Sequence, residues 1–294
     1  MLIWAGAGIA VKQALLIFTP LTLIVLRFSL AVILMLIIGL IFRHNDILGL
    51  QRVERQHLPL FLLGGLLQPF LYFIFETYTY QSFTSPTIAE ALLSTQPILA
   101  PIFAFLLLRE QVTRYNIIGI LISTAGMLLL LLTGTSHFDL GNPWGVLLAI
   151  LTVSCSVGYS VVLRRIPTHY SSLTIVFYVQ TISLALFYML WGGAQIIDPT
   201  PVIQSELLSL QSIAKPMLSV VYLSVFASVT AFILFCFTVR YIGVTRANIF
   251  NNVRPVFTAI LMLLIFSEQL PLSKWIGILV IILGLFISQK QIKE

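Results

Sequence analysis

Residues 97–126, PILAPIFAFLLLREQVTRYNIIGILISTAG, and residues 255–284, PVFTAILMLLIFSEQLPLSKWIGILVIILG, decide the fold. At one offset of 158 residues Pro97 answers Pro255, Glu110-Gln111 answers Glu268-Gln269, Gly119 answers Gly277 and Gly126 answers Gly284. Self-similarity at a fixed offset marks a duplicated unit. Nearer the start of each half the offset is 152, pairing Leu21-Thr22 with Leu173-Thr174 and, more weakly, Lys12 with Arg164. Two tandem repeats follow, residues 1–134 and 142–290.

What the repeats are made of is set by composition. The 294 residues are 59% hydrophobic and 9% charged, a balance that a soluble domain does not have. Crossing the hydrocarbon layer takes about 20 apolar residues. Reading between charged or turn-forming breaks gives ten such spans: 2–18, 22–42, 58–80, 87–108, 114–132, 143–163, 172–191, 217–239, 246–267 and 274–290. No signal-peptide cleavage site follows an apolar stretch near the start, because Ala5-Gly6-Ala7 comes too early, so span one is expected to be retained. The fold class is therefore all-α integral membrane, with ten transmembrane helices in two five-helix repeats.

Charge orients the spans. Alternating the loops places Arg43, Arg52, Arg55, Arg109, Arg114, Arg164, Arg165, Arg240, Arg246, Lys290 and Lys293 on one side, against Lys215 and Lys274 on the other. Positive charge stays in the cytoplasm, so both termini are expected there, in the cytoplasmic (inner) membrane of a cell. Five is odd, so the second repeat enters the membrane inverted relative to the first. That architecture lets one midplane site face each side in turn, and it points to transport. The net charge of +6 follows from the loops and shows no basic cluster interleaved with aromatics, which argues against a nucleic-acid partner.

These residues resemble the drug/metabolite transporter superfamily with paired EamA-like domains. The resemblance is carried by Trp4-Ala5-Gly6 with Lys12, Pro20 to Phe28, Pro97 with Arg109-Glu110-Gln111 and Gly119 to Gly126, and by Pro255, Glu268-Gln269 and Gly277 to Gly284 in the second half. It implies ten helices and transport, often export, of amino acids or other small metabolites. It also implies a cavity drawn from spans one, three, four, six, eight and nine. It specifies fold well and substrate poorly.

Ionisable groups within spans are expensive and mark functional candidates. Lys12, Arg27, Glu76 and Glu90 all fall within about 10 Å of the outer boundary, counting 1.5 Å per residue. Two cations and two anions at one level read as an ion-pair cluster locking the first four spans, as a gate or proton-coupling site, or as side chains snorkelling to the interface. In span nine, Asn248, Asn251, Asn252 and Pro255 share one helical face, bordered by Arg254. Span four, its repeat mate, presents Glu90, Ser94 and Pro97, with Gln96 in the place of Arg254. Polar faces at equivalent positions of an inverted repeat suit a substrate cavity. Interhelical hydrogen bonding alone is the other reading. Arg254 is the best anchor for a carboxylate, since its planar fork binds one bidentately. Tyr72 and Tyr159 lie deepest among the aromatics and serve either packing or ligand contact. The pairs Gly119/Gly126 and Gly277/Gly284 permit close helix approach in spans five and ten. Glu110 and Glu268, beside Arg114 and Lys274, read as solvated or interfacial pairs at helix ends.

Rival functions need features that are absent from the sequence. His44, His57, His137 and His169 fall in loops, Cys155 and Cys236 lie singly in apolar runs, and no nucleophile elbow, metal motif or phosphate loop occurs. A membrane-embedded enzyme is thus disfavoured, and neither metal nor cofactor is expected. A passive channel or facilitator remains the alternative, although no repeated filter is visible. The expected partners are a small-molecule substrate, such as an amino acid or amphipathic metabolite, and the lipid bilayer. Protons are a possible coupling ion through Glu76 or Glu90.

Overall fold

The computed structural model describes residues 1–42, 49–82, 92–93, 95–132, 143–197, 210–254, 256–257, 260–261 and 272–288. Every element among them is helical. Pro20–Ile41, Leu58–Thr79, Pro143–Arg165, Ser172–Ile196 and Ala214–Ile242 are long and apolar enough to cross a membrane, and Gln96–Leu108, Arg114–Leu129 and Trp275–Ser288 are shorter apolar helices. Span one is helical over Leu2–Ala14. Span two starts where its sequence dictates: Pro20 stands at the first helical position and the Thr19 hydroxyl accepts from the Thr22 N–H at 3.4 Å. Span four ends at Arg109, whose left-handed backbone (φ 55°) lets the Glu110 N–H return to the Ala104 carbonyl at 3.1 Å.

The chain forms two compact units, each drawing on both halves of the sequence. The first comprises Met1–Ala5, Leu71–Arg164 and Thr238–Glu294. Within it span five, Arg114–Leu132, packs on span ten, Leu272–Ser288. The glycines make this contact possible. A methyl group on Gly119 would fall 2.5 Å from the Gly284 carbonyl oxygen, and one on Gly284 would fall 2.4 Å from the Ser123 nitrogen, so the two backbones touch directly. Beside them Met127, Val256, Ile278 and Ile281 form an apolar cluster, and the Asn116 amide donates to the Ser288 carbonyl at 2.7 Å.

The second unit comprises Gly6–Phe70 and Arg165–Phe237. Here span two lies along span seven, Ser172–Ile197, through the stacked rings of Phe28 and Phe187, whose centroids are 5.7 Å apart. Spans three and eight, each read from sequence as one span, are irregular inside: span three kinks within Leu66–Leu71, and span eight widens into a π-helical segment over Leu223–Thr230. In the first, Pro69 has no N–H to offer and Gln68 leaves helical geometry (φ −149°, ψ 120°). In the second, the Thr230 hydroxyl donates five residues back, to Val225 O at 3.0 Å. Carbonyls freed in this way must find donors where no water is available. Span seven supplies them: Gln180 Nε2 donates to Ser228 O at 2.6 Å, and Ser183 Oγ donates to Gly65 O at 2.7 Å.

Candidate functional site

The described members of the substrate-lining set, Tyr72, Gln96, Tyr159, Asn248, Asn251, Asn252 and Arg254, all fall in the first unit. Their centre is Asn248, fully buried on the short helix Val244–Ile249. Its Oδ1 accepts from Gln96 Nε2 at 2.7 Å and from Asn251 Nδ2 at 3.3 Å. Its Nδ2 donates to Ser160 Oγ at 3.2 Å and to Val244 O at 2.9 Å. Gln96 Nε2 donates in addition to Ser156 Oγ at 2.6 Å. Spans four and nine, repeat mates in sequence, thus meet through their polar faces, with span six completing the cluster.

The face predicted for span nine is split by its backbone. After Ile249 the helix tightens into a 3-10 turn over Phe250–Val253, which has fewer residues per turn than an α-helix and so spreads positions that an unbroken helix would align. Asn251 stays with Asn248, whereas Asn252 turns to span five, where its Nδ2 donates to Ser123 Oγ at 2.8 Å. Asn252 is fully buried, and its Oδ1 has no hydrogen-bond partner among the described residues. Arg254 follows this turn and is half-buried.

Tyr159 is fully buried on span six. Tyr72 is half-buried, and its hydroxyl donates to Glu76 Oε1 at 2.8 Å, one helical turn away. Arg27 lies in the second unit, buried, with its Nε donating to Ser228 Oγ at 2.6 Å and its guanidinium carbon 5.4 Å from the Phe28 ring centre. Glu90, Ser94 and Pro255 and the side chain of Lys12 lie outside the described residues.

Glu110 corrects the sequence reading. In place of a pair with Arg114, its carboxylate accepts from Val244 N at 3.0 Å, Thr245 N at 3.4 Å and Thr245 Oγ1 at 3.3 Å. It therefore caps the helix that carries Asn248, where a negative charge meets the positive end of the helix dipole. The residue before that helix is Gly243, at φ 88°, and a side chain there would press on Glu110 Oε1 at 3.0 Å. Ser156 and Ser160 are further members that sequence reasoning missed. Thr152, Ser156 and Ser160, all buried, recur every four residues on one face of span six, and that periodicity was the available signal.

The EamA-like transporter family model matches residues 1–132 and 143–289. The chain belongs to the EamA-like transporter family. This EamA-like protein is 26% identical over 250 residues to the uncharacterized transporter YetK of Bacillus subtilis, covering 82% of this chain and 70% of that one. It is 25% identical over 292 residues to an uncharacterized transporter of Archaeoglobus fulgidus, covering 98% and 94% of the two chains. A protein solved by crystallography superposes with a TM-score of 0.76 at 19% identity, covering 98% of this chain and 94% of that chain; this likeness shows the fold. The EamA-like chain is thus an integral membrane transporter with the family's ten-helix fold.

Proposed function

We propose that the protein is a secondary transporter that exports small organic metabolites, amino acids foremost, by alternating access at a midplane cavity between its inverted repeats, residues 1–134 and 142–290. The observation that carries this reading is the Gln96–Asn248 hydrogen bond. It joins equivalent spans of the two repeats through a half-buried and a fully buried amide, which supports a polar site between spans four and nine of the kind an inverted-repeat transporter uses for its substrate. Arg254 anchors the carboxylate, and Asn248, Asn251, Asn252, Gln96, Ser94, Tyr72 and Tyr159 line the cavity. Glu90, Glu76, Lys12 and Arg27 gate it or couple it to protons. Asn248 already makes four internal hydrogen bonds, so a substrate reaches the amide cluster by exchanging protein partners for its own polar groups. The protein resides in the cytoplasmic membrane with both termini inside, as the distribution of Lys and Arg supports. It is not an enzyme, a reading that the transporter names of its relatives support.

The test is flux in proteoliposomes for a panel of amino acids and amphipathic cations, with and without a proton gradient. Wild type should show saturable flux of one class, Arg254→Ala should lose it while expressing normally, and Glu90→Gln should lose its response to the gradient. Flux that rises linearly with concentration and ignores Arg254→Ala would favour the channel or facilitator and sink the assignment.

A further inference from the structure

In the second unit, two loops that sequence reading treats as connectors are tied into one structure. Gln51 in the loop before span three reaches the loop before span seven with both ends of its side chain: Nε2 donates to His169 O at 3.0 Å, and Oε1 accepts from Ser171 N at 2.7 Å. Its backbone N–H donates to Thr174 Oγ1 at 3.1 Å. The Tyr170 hydroxyl closes the other side, accepting from Glu54 N at 3.1 Å and lying 3.0 Å from His57 Nδ1.

This framework brings three ligand-type side chains together, two of them before span three and the third 112 residues beyond His57, which is why spacing alone did not reveal them. Glu54 Oε2 lies 3.7 Å from His57 Nδ1, and Glu54 Oε1 lies 3.7 Å from His169 Nε2. One ligand atom from each residue falls within 4.8 Å of the other two. Two ligands on a tetrahedral zinc ion stand about 3.4 Å apart at the usual bond lengths near 2.1 Å, so the three groups need only side-chain adjustments to close on one ion. Glu54 and His169 are about half exposed, at 52% and 53%, and His57 is 20% exposed, so an ion has an open path in and room for a water as fourth ligand.

We propose that Glu54, His57 and His169 form a binding site for a divalent transition metal of the zinc class, clamping the loop before span three to the loop before span seven. Two imidazoles and one carboxylate suit zinc, nickel, cobalt or copper, whereas magnesium and calcium take oxygen ligands. The Tyr170 hydroxyl is the outer partner: it accepts from the Glu54 N–H and so holds the backbone of that ligand in place. On metal binding the His57 Nδ1 lone pair turns from the hydroxyl to the ion, and the hydroxyl keeps the Glu54 N–H. Gln56 Nε2, which donates to Glu54 Oε2 at 2.6 Å, steadies the carboxylate. The exposed Arg52 and Arg55 of the same loop oppose the cation only through solvent, where salt screens them. On the orientation given by the positive-inside pattern, the site faces the cytoplasm.

The experiment uses the full-length, tag-free protein in detergent, stripped with chelator and titrated with zinc chloride by calorimetry and thermal unfolding, with magnesium chloride as control. One zinc ion should bind saturably and raise the melting temperature, and magnesium should do neither. His169→Gln and Glu54→Gln should each weaken binding by at least about tenfold while melting like wild type in chelator, which separates ligand loss from misfolding. X-ray absorption of the zinc-loaded protein should report two imidazole nitrogens. Failure of wild type to bind zinc, or binding unchanged by both variants, would overturn the proposal.

Discussion

Replacing Gly284 with alanine tests the backbone contact between spans five and ten. The new methyl would lie 2.4 Å from Ser123 N and 2.7 Å from the Gly119 carbonyl oxygen, whereas ordinary contact begins at 3.4 Å. Both obstacles are backbone, so neither can rotate away, and spans five and ten must separate by about 1 Å. Overpacking of this kind costs about 1–3 kcal/mol. The separation also carries the Asn116 amide away from the Ser288 carbonyl, now 2.7 Å distant, and stretches that hydrogen bond beyond useful length at a further ~1 kcal/mol. The expected loss is about 2–4 kcal/mol, read as a fall of roughly 5–10 °C in the melting temperature of the purified protein in lipid nanodiscs. Gly192 provides the control. A methyl there meets nothing within 4 Å, so Gly192→Ala should be neutral or should stabilise by about 0.5–1 kcal/mol through the entropy lost by alanine's smaller unfolded ensemble. Gly119→Ala forces the same separation, so the Gly119→Ala/Gly284→Ala double variant should lose less than the two single losses combined. The reasoning fails if Gly284→Ala melts with wild type.

Glu110→Ala should destabilise by about 0.5–2 kcal/mol through the lost cap, and Glu110→Gln by less, because a carboxamide keeps an acceptor but not the charge; Glu110→Gln melting with wild type would refute the dipole contribution. Asn248→Ala strands the Gln96 and Asn251 donors, at about 1–3 kcal/mol for each left unsatisfied, and transport by the purified variant should fall at temperatures where it remains folded. Normal flux in folded Asn248→Ala would remove the amide cluster from the transport path.

Much of this was legible in the sequence because lipid imposes simple rules. The bounds of span five, Arg114–Leu132, follow from its first charge and its apolar run, and the glycine pairs pointed to close packing before any contact was visible. The polar residues of spans four and nine declared themselves by standing where lipid penalises them. The irregular stretches of spans three and eight carry signals of their own, Gln68-Pro69 in one and Ser224, Ser228 and Thr230 in the other, but hydropathy marks a span and not the geometry within it. The 3-10 turn at Phe250–Val253 likewise altered a face that the residue types had marked correctly. Glu110 was misread because its partners, Val244 and Thr245, lie in the other half of the chain, and an exposed neighbour such as Arg114 looked sufficient.

Span seven has a consequence of its own. Gln180 and Ser183 stand on neighbouring turns of one helix, and each holds a carbonyl at the irregular part of a different span. Spans three and eight, far apart in the chain, therefore share a single splint. Loosening of span seven is therefore expected to expose the amides around both Gly65 and Ser228 to hydrogen exchange with solvent.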